Sequence, residues 1–359
     1  MCEKKTESGK QSSRLKLIWQ IVYIFGTLLL MSLLGLGDPD FISFFSGKQP
    51  VNSHWLILCG IAMLGFWLLQ ACVYASAASI VGAKISFWCN LRITMFGEYY
   101  SAITPFASGG QPMQLGYYKR YGVGAAKASS ILSVRYICFV GSISLCYLCA
   151  AILAGEQILR NYPLVFWLTT LGFVINFTSI VMVVMILVRP ALVRRFGLWL
   201  IQQVTKIKRL NARRESWSEK YEKGVVEFGA AGECIKAHPY HCLWVLLQSL
   251  LSVGCQFSIA YLVYRALGLS QAGYFELFSM QIFLYLAVAF APTPGAIGAT
   301  EGGFYLFFAM VFPKSLLYSA MLMWRLFTYY SNLLFGAALI VGDEVNAMVK
   351  ARRAKHTLP

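Results

Sequence analysis

Six apolar runs, Leu17 to Leu36, His54 to Ile80, Ser129 to Ala154, Pro163 to Val188, His241 to Leu267 and Ser315 to Val341, are each long enough to cross a bilayer as a helix. About 20 residues rising 1.5 Å each cover roughly 30 Å of hydrocarbon. Lipid offers no hydrogen bonds, so a spanning segment must satisfy its own backbone; an open sheet would leave its edges unbonded. The expected fold is therefore an all-α integral membrane protein, a polytopic helical bundle. Composition agrees: 58% of the 359 residues are hydrophobic, only 13% are charged, and mean hydropathy is +0.61. A water-soluble globule of this makeup would expose too much apolar surface.

Most of the net charge of +16 lies in a basic tail at 1–16, a polar segment at 189–240 and a second tail at 346–359. That distribution marks cytoplasmic loops, and it places both termini in the cytoplasm of a cell membrane. No basic segment carries a nucleic-acid reading motif, so nucleic acid is not an expected partner. The polar segment holds Arg189, Arg194, Arg195, Lys206, Lys208, Arg209, Arg213, Arg214, Lys220, Lys223 and Lys236 against five Glu, and reads as a cytoplasmic linker. Most cysteines lie inside apolar runs, where they act as small hydrophobes. Cys146 and Cys149 form an isolated CxxC, and His238 and His241 flank Pro239 at a membrane boundary. Neither pattern predicts a metal or cofactor.

Two further segments are apolar but interrupted. Phe87 to Tyr121 is broken by TPFASGGQP at Thr104–Pro112, and Phe275 to Phe312 by PTPGAIGATEGG at Pro292–Gly303. Irregular backbone at membrane depth is tolerated only where protein or a wet cavity surrounds it, so both read as re-entrant hairpins at 87–121 and 275–312 that line a site. Each break precedes a run bearing an Arg: Pro105 leads to Arg135 and Pro294 to Arg325, at separations of 135 − 105 = 30 and 325 − 294 = 31. With the hairpins entering from opposite sides, the membrane halves 17–188 and 241–345 form an inverted repeat: six full spans plus two broken hairpins, as in alternating-access transporters.

Glu301 follows the second break in a segment otherwise nearly free of charge. An intramembrane carboxylate costs roughly 2.5–3.5 kcal/mol on insertion scales and is a functional candidate by default. The other reading makes it a helix N-terminal carboxylate held by the dipole, and both can hold. Arg135 and Arg325 lie some 10–14 Å along their runs. They either snorkel to an interface or face inward, binding phosphate or pairing with Glu98 and Glu301. Gly109, Gly110, Gly295, Gly298 and Gly302, with Pro294, permit close approach of backbone to a headgroup or to another helix. Gln111 follows the first Gly pair, and Lys119 and Arg120 end the first hairpin as either headgroup recruiters or interface anchors.

At these motifs the sequence resembles the transmembrane-domain family of lysylphosphatidylglycerol synthase, the membrane half of the multiple peptide resistance factor. TPFASGGQP with GYYKRYG downstream is similar to that family's first Gly-Gly loop. PTPGAIGATEGGFYLFF followed by WRLFTYY is similar to its second, and the likeness covers roughly residues 15 to 345. The resemblance implies a flippase fold that moves an aminoacylated or otherwise modified phospholipid outward. By the same resemblance Glu301, Arg135, Arg325, Gly109 and Gly110 fall on the family's motif positions. Thr300 stands where a basic residue is often expected, and Gln111 and Pro112 where many members carry an acidic one, which leaves the substrate open. Bifunctional members add a soluble aminoacyl-transferase domain, and no acyltransferase site is expected in this sequence.

Lipid translocation is thus the leading expectation, with a small-molecule or proton-coupled secondary transporter and an intramembrane transferase as its rivals. The first needs a phospholipid substrate and no cofactor. A homodimer and a separate lipid-modifying synthase are its candidate protein partners.

Overall fold

The computed structural model describes residues 51–161, 163–206 and 214–356, with Gly26 before them. The basic tail at 1–16 and the rest of the Leu17–Leu36 run lie outside the described residues, as do Lys208, Arg209 and Arg213. Among the described residues all regular structure is helical.

Helix α1 spans Ser53–Ile80, opened by the Asn52 side chain, which accepts from His54 N at 3.1 Å, and closed at Gly82, whose φ of +61° favours glycine. The first hairpin follows as α2 (Phe87–Ala102), a 3₁₀ turn at Pro105–Ala107, and α3 (Gly110–Arg120). Next come α4 (Ala125–Asn161) and α5 (Pro163–Val188). The polar segment is itself helical, with α6 (Pro190–Val204) and α7 (Arg214–Ala237) packed together and α7 resting on α4 and α5. Gly197 makes the α6–α7 contact possible, because a Cβ there would overlap the Tyr221 ring.

Helix α8 (Pro239–Ala266) runs along α1, and Gly65 of α1 lies close enough that a Cβ would come 3.3 Å from Cys255 Sγ. The second hairpin consists of α9 (Tyr274–Val288), a 3₁₀ turn at Pro294–Ala296, and α10 (Ala299–Phe308). Helix α11 (Lys314–Arg325) then passes through a π turn at Leu326–Tyr330 into α12 (Ser331–His356).

Four of these helices are long and apolar enough to cross a membrane: α1 over Ser53–Ile80, α4 over Ala125–Leu153, α5 over Pro163–Met185 and α8 over Pro239–Ala266. Only 17% of the apolar window of α5 is buried, so α5 is peripheral and turns Leu171, Val174, Phe177 and Met182 outward. Inside, Phe66, Phe96, Tyr99, Phe257, Phe304 and Phe308 form an aromatic core between the hairpins and the α1–α8 pair. A smaller core around Tyr74, Ile93, Tyr118 and Ile131 seats the first hairpin against α1 and α4.

Candidate functional site

Both breaks adopt the same local form. Each is a Pro-initiated 3₁₀ turn preceded by an extended Thr, and each contains left-handed backbone: Phe106 and Ala107 at φ of 55° and 52°, Gly295 and Ala296 at 61° and 53°. For the non-glycine residues this conformation costs about 1–3 kcal/mol each and persists only where surroundings enforce it. Thr104 helps to enforce the first, donating to the Tyr100 carbonyl at 2.7 Å and accepting from Gly109 N at 2.8 Å. Thr293 plays the matching part in the second by donating to the Ile297 carbonyl at 2.8 Å. The two turns touch each other. Tyr329 ties them further: its ring abuts Gly295, and its hydroxyl donates to the Ala102 carbonyl at 3.3 Å.

The two arginines each meet a carboxylate, on unequal terms. Arg325 donates from Nε to Glu301 Oε1 at 2.7 Å and brings a terminal nitrogen to the same oxygen at 2.6 Å. Glu301 Oε2 accepts from Gly298 N at 2.6 Å, so this carboxylate also caps α10, whose N-cap Gly298 stands at φ of 86°. Arg325 further reaches the Gly295 carbonyl at 3.5 Å and lies 4.9 Å from the Tyr329 ring centroid. With side chains 5% and 13% exposed, the pair is closed and saturated. Arg135 and Glu98 approach only to 3.6 Å, at exposures of 15% and 22%. The Arg135 guanidinium instead donates from Nε to Gln70 Oε1 at 3.1 Å and rests 4.3 Å from the Phe139 ring centroid. Gln70 in turn donates to Ser252 Oγ at 2.7 Å, so one polar chain links α2, α4, α1 and α8.

Glu98 and Arg135 open into a cavity of about 570 Å³ that also contains Gln111, Tyr136 and Asn176. A neighbouring chamber of about 230 Å³ holds Arg325, Thr300, Gln281 and Trp324, and shares Ser101, Phe106, Gln256 and Tyr285 with the first. The tip of the first break therefore stands between an open ion pair and a closed one. Among the described residues, the buried Oε1 atoms of Gln256 and Gln281 and the Trp324 indole nitrogen have no hydrogen-bond partner, which leaves this region polar.

The remaining sequence candidates fall into separate groups. Gly109 and Gly110 serve close packing: a Cβ on Gly109 would come 2.6 Å from Thr104 Cγ2, and one on Gly110 would overlap the Ser101 hydroxyl. Pro294 starts the second turn, whereas a Cβ on Gly302 would meet nothing within 4 Å among the described residues. Lys119 and Arg120 are exposed at the end of α3, away from both cavities. Sequence reasoning missed Gln70, Ser252, Gln256 and Gln281. A glutamine inside an otherwise apolar run is the signal that could have exposed three of them, since lipid offers its amide nothing.

Taken together, the apolar outer helices and the polar residues gathered between two broken hairpins define a helical membrane protein with a sheltered interior site. The family described as Lysylphosphatidylglycerol synthase TM region matches residues 17–336, and the chain belongs to that family. It is also similar to a UPF0104 membrane protein of Archaeoglobus fulgidus, 25% identical over 318 residues, covering 86% of this chain and 91% of the relative.

Proposed function

We propose that this protein moves a phospholipid between the leaflets of the membrane, passing the headgroup through the cavity of Glu98 and Arg135. The observation that carries the reading is the loose ion pair: an Arg and a Glu 3.6 Å apart, without a mutual hydrogen bond, inside a space of about 570 Å³ beside two strained breaks. A guanidinium presents paired donors that suit a phosphodiester, and a phosphate can replace a loosely held carboxylate at lower cost than a saturated one. In this reading the halves form an inverted repeat of six spans and two hairpins, and the two ion pairs alternate between open and closed. The protein acts as a carrier rather than an enzyme. The family description supports a lipid cargo, with lysyl-phosphatidylglycerol as one candidate.

The test is reconstitution into liposomes containing labelled phospholipid, with a membrane-impermeant quencher reporting the outer leaflet. Wild type is expected to accelerate leaflet exchange, and Arg135→Ala and Glu301→Gln to slow it while remaining folded. Equal exchange in all three proteins would remove the basis of the mechanism.

A further inference from the structure

Helix α6 begins at Pro190, two residues after the end of α5 at Val188, and the chain bends between them at Arg189, with φ of −130° and ψ of 60°. It therefore starts where a membrane-crossing helix ends. One side of α6 is committed to α7: Gly197 sits against Tyr221, and Arg194 pairs with Glu222 at 2.6 Å. The opposite side is open and mostly apolar, with exposed Gln203 on the same face. Phe196, Trp199 and Leu200, at helical spacings of three and four, are 63%, 52% and 47% exposed, and the first two rings stack at 5.8 Å. Arg195 is exposed on the same helix, and the sequence of α6 contains no acidic residue.

We infer that α6 lies in the plane of the membrane interface and docks on an anionic phospholipid surface. Phe196, Trp199 and Leu200 enter the boundary between headgroups and acyl chains, and Arg195 meets lipid phosphates. Three observations select lipid over a protein partner. The outward apolar face of α5, through Val181, Met182 and Met185, runs to within five residues of Pro190, so the exposed surface is continuous with a lipid-facing one. Aromatic side chains mixed with arginine are the composition favoured at headgroup depth. The positive charge complements an anionic leaflet. The inference rests on membrane residence alone and not on lipid translocation.

The experiment places the photo-crosslinking residue p-benzoylphenylalanine at Trp199, and separately at Phe196, in the full chain. Each protein is reconstituted in nanodiscs of mixed phosphatidylglycerol and phosphatidylcholine, irradiated, and weighed intact. The expected result is a phospholipid adduct from both positions. The captured ratio of phosphatidylglycerol to phosphatidylcholine should exceed that of the nanodisc about fivefold, and Arg195→Gln should bring it close to the nanodisc ratio. Capture of a second copy of the chain, or no adduct at either position, overturns the docking. Capture at the nanodisc ratio in wild type overturns the anionic preference.

Discussion

The unequal ion pairs make a quantitative prediction about stability. In Glu301→Gln the buried Arg325, 5% exposed, loses its counter-charge while the amide oxygen can still accept from Gly298 N. Removing one partner of a buried pair costs about 3–5 kcal/mol, and the retained cap argues for the lower end, about 3 kcal/mol. For a chain longer than 250 residues, 1 kcal/mol moves Tm by about 2 °C, so the expected loss is about 6 °C. In Glu98→Gln the partner lies 3.6 Å away with no hydrogen bond between them, and Arg135 keeps Gln70. The cost should stay below about 1 kcal/mol, as for weakly coupled pairs, or under about 2 °C. Thermal unfolding in detergent, followed with a thiol-reactive dye on the buried cysteines, measures both. Adding Arg325→Met to Glu301→Gln should recover most of the loss, because an apolar replacement leaves no unpaired charge. Equal shifts for the two single variants, or no recovery in the double variant, would refute the distinction between a closed and an open pair.

Three further outcomes follow from the breaks. Gly295→Ala forces a side chain into the left-handed region and against the Tyr329 ring, and should cost about 2–3 kcal/mol by thermal unfolding. Gly302→Ala, on helix α10 where the new Cβ would meet nothing within 4 Å among the described residues, should be neutral or stabilising by up to about 1 kcal/mol in the same assay. Phe106→Gly relieves a positive φ and removes a ring that stands between the two cavities, so it should preserve Tm and speed leaflet exchange in liposomes. Slower exchange at unchanged Tm would give that ring a gripping role instead.

Much of the architecture is legible because lipid imposes one rule on every residue it touches. Runs read at His54–Ile80, Pro163–Val188 and His241–Leu267 correspond to helices at Ser53–Ile80, Pro163–Val188 and Pro239–Ala266. Both interruptions contain the turns, at Pro105–Ala107 and Pro294–Ala296, although helix resumes within them at Gly110 and Ala299. Outside the hydrocarbon the rule lapses. The run at Ser129–Ala154 extends to Ala125–Asn161 through Ala, Lys, Glu and Gln, which are good helix formers that hydropathy ignores. The charges of 189–238 report contact with water and say nothing of the close fit between Gly197 and Tyr221 that pairs α6 with α7. At the site, the carboxylates and arginines are visible as costly intramembrane charges, and pairing is one of the options they offer. Which pair is tight is not visible. It depends on a backbone N–H at Gly298 and on Gln70, which lies 65 positions from Arg135 and enters only through packing.

The π turn at Leu326–Tyr330 carries a geometric consequence for the helix it joins. A π turn holds about one residue more than an α turn, and one residue is worth 100° of rotation about the axis. Ahead of the widened turn the helix points Arg325 at the second hairpin; beyond it, Asn332 accepts from the Trp67 indole at 2.7 Å and Gly336 abuts Tyr99 of the first. The single surplus residue thus acts as a phase shifter that lets one rod address two neighbours lying in different directions.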